Sequence, residues 1–222
     1  MTYLYYIRYF FYIAINWNFR LALFSIFHEI NGEKKYGIRT TELDNLKKLT
    51  LTGKLEHAEI YQGASYYLLE HIFQQLKKQK AGKTLIDVGC GKGRAMVVAA
   101  EYGFTKITGI DFARQLCDSA IQNCGQISRR HPSVQWQVIY GNAEDAVFAK
   151  DTRVFFFFNP FKEAVMAKVI KNILISHKAQ PRKIYVAYVN PQLKHLLADA
   201  GFKQTYYIKK MNFVEAGIYE KV

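Results

Sequence analysis

The chain predicts an α/β fold in which helices cover both faces of a mostly parallel sheet. Three observations carry this expectation. Short apolar runs of strand length alternate with longer stretches of helical spacing from Thr84 to Ala200. The first run, Leu85-Ile86-Asp87-Val88, breaks on glycines at alternate positions, Gly89, Gly91 and Gly93, and restarts as helix at Arg94. Such a junction places backbone N–H groups beside a helix N-terminus, where nucleotide-like ligands bind. A later run, Val154-Phe155-Phe156-Phe157-Phe158, is apolar on both faces, as a central strand must be.

Composition bounds the remaining possibilities. The 222 residues suit one domain with an extension, and half of them are hydrophobic, enough for a sizeable core. The formal charge of +13 favours acidic partners: nucleic acid, an anionic membrane face or an acidic protein surface. The basic residues are scattered pairs such as Lys34-Lys35, Lys77-Lys78 and Lys209-Lys210, which read as solvated surface. Nucleic acid is thus supported by charge alone. Cys90, Cys117 and Cys124 are odd in number and form no C-x-x-C, which points to a reducing compartment and a cytoplasmic protein. The six histidines are dispersed without metal-ligand spacing, so no metal is expected.

Taken in order, residues 1–60 read as a helical extension and 61–222 as the ligand-binding domain. Residues 3–27 form an aromatic helix on which Arg8, Tyr12, Asn16 and Arg20 recur every four positions. Arg8, Asn16, Asn18 and Arg20 leave no window of about 20 apolar residues, so it does not span a membrane. Two readings stand: a helix lying in the membrane interface on the cytoplasmic side, or one docked on the domain or a second subunit. Residues 32–53 read as a polar connector, with a short helix around 41–51. A helix then runs from Tyr66 past Leu76, with Ser65 as its cap.

Lys106 to Asp111 is the second strand, and Ala113 to about Ile127 the next helix. Asp111 lies about twenty residues beyond the loop, the spacing at which an acid reaches ribose hydroxyls. Its plainer role is to cap the following helix. Val134 to Ile139 is the third strand, Thr152 to Phe158 the fourth and Lys183 to Val189 the fifth. Helices follow at 164–175 and 191–200. Two strands, Phe202 to Ile208 and Phe213 to Tyr219, close the chain as a hairpin.

The glycine loop excludes some ligands. Its sixth position counted from Gly89 is Arg94, which breaks the G-x-G-x-x-G/A dinucleotide fingerprint, and no P-loop occurs. The pattern Asp87-x-Gly89-x-Gly91-x-Gly93 resembles motif I of the class I, seven-strand S-adenosylmethionine-dependent methyltransferases. The resemblance covers roughly Tyr61 to the C-terminus. It implies a Rossmann-like three-layer sandwich with the last strand inserted antiparallel. It also implies cofactor contacts at Asp87, Gly89, Cys90, Gly91, Gly93 and Arg94 in the loop, and at Asp111 and Phe112 near the ribose. Asn142, Ala143 or Glu144 would meet the adenine, and Tyr61, in a lid segment, and Asn159 would complete the set.

Asn159-Pro160-Phe161, directly after the fourth strand, looks like a shortened Asn-Pro-Pro-Tyr/Phe motif of amine and amide N-methyltransferases. The resemblance assigns these three residues to catalysis, with the Asn159 oxygen holding the acceptor nitrogen. The missing second proline argues against a planar-substrate clamp. The loop and the aromatic N-terminus are also similar to the protein-lysine methyltransferase subgroup. A protein amine is therefore the first expected acceptor. A small molecule or nucleic acid comes next, and a non-catalytic S-adenosylmethionine-binding partner is the alternative outside enzymes.

Overall fold

The computed structural model describes residues 2–41, 63–158 and 161–222. Seven strands form one sheet in the order β3-β2-β1-β4-β5-β7-β6. The strands are β1 (Thr84–Val88), β2 (Lys106–Asp111), β3 (Gln135–Tyr140), β4 (Val154–Phe158), β5 (Ile184–Val189), β6 (Lys203–Lys210) and β7 (Val214–Lys221). β1 to β5 pair in parallel, and β7 inserts antiparallel between β5 and β6, as expected. The central strands are apolar because both of their faces are covered. Phe155 and Phe157 point to one layer and Phe156 to the other, all essentially buried. Burial of each such ring contributes about 1.5–3 kcal/mol.

One layer holds α3 (Tyr66–Lys78), α4 (Arg94–Glu101) and α5 (Arg114–Arg130). Leu69, Ile72, Phe73 and Leu76 of α3 and the alanine-rich face of α4 pack there on Leu85, Phe156, Ala187 and Ile218. The other holds α6 (Glu163–Ala179) and α7 (Lys194–Asp199), with Met166, Val169 and Ile173 against Phe155, Phe157 and Val186. The β3–β4 connection carries only a 3-10 turn at Ala143–Asp145. Its sequence, Ala143 to Arg153, has no apolar helical stripe; Phe148 is buried while Val147 is exposed. Ser65 supplies no side-chain cap to α3.

The N-terminus departs from the expected single helix. It is a pair, α1 (Thr2–Asn16) and α2 (Phe19–Tyr36). Asn18 adopts extended backbone and its Oδ1 accepts the Leu21 N–H at 2.8 Å, so it starts a new helix within the expected one. α2 also runs on through the expected connector and ends at Gly37, whose N–H donates to Glu33 O. Gly32 lies within it because the ring of Tyr66 stands where a Cβ would be, 2.2 Å away. Tyr9, Ile13, Leu21 and Ala22 join the two helices and pack with Val214 of β7. The extension thus docks on the domain. The helix expected around 41–51 falls outside the described residues.

Candidate active site

The site is built where β1 and β2 end side by side. Gly89, Gly91 and Gly93 all have positive φ (81°, 52° and 78°), so the chain turns between Gly89 and Gly93 and enters α4. At Gly91 this conformation excludes a β-branched side chain. Four of the loop's N–H groups are already bonded within the protein. Gly89 and Cys90 donate to Ile110 O at 2.8 and 3.0 Å, and Gly93 donates to Cys90 O. Gly91 donates to Asp111 Oδ2 at 2.9 Å.

Two carboxylates face this loop, and both are buried. Asp111 accepts Gly91 N through Oδ2 and Ala113 N through Oδ1, each at 2.9 Å. It therefore ties the glycine loop to the start of α5, and the carboxylate keeps room for a further donor. Burial raises its pKa despite donation from Ala113, Gly91 and Phe112. Asp87 is different: among the described residues no hydrogen bond reaches its carboxylate. Burial, and then the charge of Asp111, push its pKa from 3.8 up to about 8. An unpartnered buried acid of this kind suits a cationic ligand group, which would restore its ionised form.

The other expected residues fall into three groups. Phe112 is partly exposed at the lip beside Asp111, while Cys90 lies buried within the loop. Asn142 donates from its amide to Asp145 Oδ2 at 3.3 Å, and Ala143 opens the buried start of the 3-10 turn. Phe161 packs on the core layer formed by α6. Tyr61, Asn159 and Pro160 fall outside the described residues.

Arg94 turns away from the loop into the N-terminal layer. Its Nη1 donates to Glu29 Oε1 at 2.9 Å and to Ala64 O at 2.8 Å, while Nη2 lies 2.7 Å from Glu29 Oε2. Nε donates to Thr40 Oγ1 at 2.7 Å and Nη2 to Thr41 Oγ1 at 3.3 Å. The guanidinium also stacks 4.2 Å from the centre of the Tyr66 ring. Glu33, one turn beyond Glu29, accepts from Thr40 N, Thr41 N, Thr41 Oγ1 and the Tyr6 hydroxyl. These donors hold its pKa below the usual range against burial. Sequence reasoning missed this network. Its only signal was the Glu29–Glu33 spacing, one helical turn apart.

A doubly wound sheet of this strand order, with a glycine loop after β1 and an acid closing β2, defines the class I, seven-strand type of methyltransferase. Residues 79–201 match a family model described as a methyltransferase domain, over half of the chain. The chain belongs to that family. Solved structures share the fold. A proposed RNA methyltransferase from Pyrococcus horikoshii is 16% identical, with 78% of this chain and 96% of that one covered and a TM-score of 0.52. A SAM-dependent methyltransferase from Aquifex aeolicus is 13% identical, with 69% and 98% covered and a TM-score of 0.51. Magnesium protoporphyrin IX methyltransferase from Synechocystis is 12% identical, with 79% and 88% covered and a TM-score of 0.51. No curated protein matches the chain in sequence.

The methyl donor of class I enzymes is S-adenosylmethionine, and the residues present fit it. Asp111 retains acceptor capacity for a hydroxyl, the loop brings backbone close without side chains, and Asp87 offers a carboxyl that a cationic group would ionise. Gly91→Val should reduce S-adenosylmethionine affinity at least tenfold in calorimetry, since valine is strained at φ 52°. Unchanged affinity in a folded variant would place the cofactor elsewhere.

Proposed function

We propose that this chain transfers a methyl group from S-adenosylmethionine to an amine nitrogen, with a protein lysine as the first acceptor class. The observation that carries the cofactor half is the pair of buried carboxylates, Asp87 and Asp111, at the glycine loop. When bound, the cofactor supplies a methyl group on a positively charged sulfur. The protein's own task is then to exclude water, orient the two reactants in line and accept no covalent bond itself. Asp111 would hold the ribose hydroxyls and Asp87 would favour the cofactor's positive charge.

The acceptor half rests on the sequence Asn159-Pro160-Phe161, which comes directly after the last residue of β4, Phe158, in the chain. An asparagine oxygen can replace the water hydrogen bond that an amine loses on entering the site. Asn159→Ala should lower turnover on the order of a hundredfold and change cofactor affinity little. The acceptor is first found by incubating a lysate with methyl-labelled cofactor and locating the label. Full turnover by Asn159→Ala would remove Asn159 from the acceptor site. Label recovered in RNA instead of protein would select the nucleic-acid reading that the charge of +13 favours.

A further inference from the structure

We propose that the α1–α2 pair and the adjoining β6–β7 turn form a docking face for an anionic lipid surface. The inner sides of α1 and α2 are spent on Tyr9, Ile13, Leu21, Ala22 and Val214. Their outer sides are apolar as well. Ile7, Phe11 and Ile15 on α1, then Phe19, Leu23 and Phe27 on α2, recur at four-residue steps, and each is between 51% and 79% exposed. Single exposed apolar side chains are ordinary, but a stripe of six along two consecutive helices marks an interaction surface.

Charge selects the partner. Arg8 and Arg20 are exposed on the same two helices, and no Asp or Glu occurs from Thr2 to His28. Tyr12 and Trp17 stand exposed at the bend between the helices, edge to face at 5.8 Å. Apolar side chains set among cations, with tyrosine and tryptophan at the margin, match a headgroup–acyl boundary. The β6–β7 turn extends the face: Val214 packs under α1 and α2, while Met211 and Phe213 are exposed beside Lys209 and Lys210. The chain's net charge of +13 adds long-range attraction to an anionic leaflet. Neither helix is long and apolar enough to cross a membrane. The 15 residues of α1 rise only about 22 Å against a core of about 30 Å, so the pair lies on the surface.

The position of this face gives it a function. Asn190, just past β5, donates its N–H to Glu215 O of β7, so the β6–β7 turn sits at the carboxyl end of the parallel strands. α2 reaches that same end through the Glu29–Arg94 pair at the start of α4. Docking would hold the catalytic end of the sheet beside the bilayer, within reach of acceptors presented there. This consequence rests on the methyl-transfer reading; the docking itself does not.

The test is co-sedimentation of the full chain with phosphatidylglycerol–phosphatidylcholine vesicles and with phosphatidylcholine vesicles alone. The protein should sediment with the anionic vesicles and much less with the neutral ones. A Phe11→Ser, Phe19→Ser, Phe27→Ser triple variant should lose at least tenfold in partitioning, and Arg8→Gln with Arg20→Gln should reduce binding to the anionic vesicles. All these positions are exposed, so circular dichroism should be unchanged. Absence of vesicle binding, or equal binding by the triple variant, would overturn the proposal. So would a dimer in light scattering that the triple variant converts to monomer without any vesicle binding, because the occupant would then be a second copy. S-adenosylmethionine titration is read separately. In the parent chain, no vesicle binding with intact cofactor affinity overturns docking alone, and vesicle binding without cofactor affinity overturns the cofactor reading alone.

Discussion

Glu29→Ala is expected to destabilise the protein by about 3–5 kcal/mol, because it removes one member of a buried, two-point carboxylate–guanidinium pair. Both side chains are almost wholly buried, with relative exposures of 7% and 3%. Burial raises the Glu29 carboxyl above its ordinary range while Arg94 pulls it down. The pair joins α2 to the first residue of α4, immediately after the glycine loop, so the damage is not confined to the extension. At this chain length each kcal/mol moves Tm by about 2–4 °C, and a drop of roughly 10 °C is expected in a thermal melt. A Glu29→Met, Arg94→Met double variant should recover much of the loss, since replacing a whole buried pair with apolar groups is often neutral. A Tm within about 2 °C of the parent for Glu29→Ala would show that the pair does not anchor the extension.

The second large effect is the pH dependence of the cofactor-free protein through Asp87. In the folded chain its carboxyl is pushed up to about 8. Below about pH 4 it is protonated in both folded and unfolded states and has no net influence. From about pH 4 to 8 the unfolded chain releases this proton and the folded chain keeps it. Stability therefore falls with rising pH, by about 1.4 kcal/mol per unit. Above about 8 both forms are ionised and the loss is complete. Asp87→Asn removes the charge that must be buried, so it should raise Tm at pH 9 by several degrees and change it little at pH 4. The same variant should weaken S-adenosylmethionine binding, because the cation loses its counter-charge. A parallel shift of Tm at both pH values would show that folding does not raise the Asp87 pKa.

Much of the domain was legible because its signals are local. The Thr84–Val88 strand, its glycine reversal and the acid at Asp111 each follow from a few adjacent residues whose backbone preferences agree. The four consecutive phenylalanines of β4 required two covered faces wherever the strand lay. The end of the first helix was harder. Asn18 is a helix starter, but it sits among residues that equally suit a helix interior, and the packing of Leu21 and Ala22 on α1 makes the break worthwhile.

Arg94 marks the boundary between the two kinds of information. By sequence alone it is the residue that breaks a dinucleotide fingerprint and joins a cofactor loop. The strand positions, the glycine turn and the two acids follow from short-range sterics and hydrophobic pattern, which a sequence states directly. The direction of Arg94 follows from a carboxylate 65 residues away and from Thr40, Thr41 and Tyr66. A long charged side chain has several rotamers of similar local energy. Only the assembled fold decides which is occupied, because a buried guanidinium takes the rotamer whose partners offset its desolvation. The outward apolar stripe of α1 and α2 was decided in the same way: the sequence shows helices apolar on nearly every side, and packing on Val214 determines which side is left to face outward.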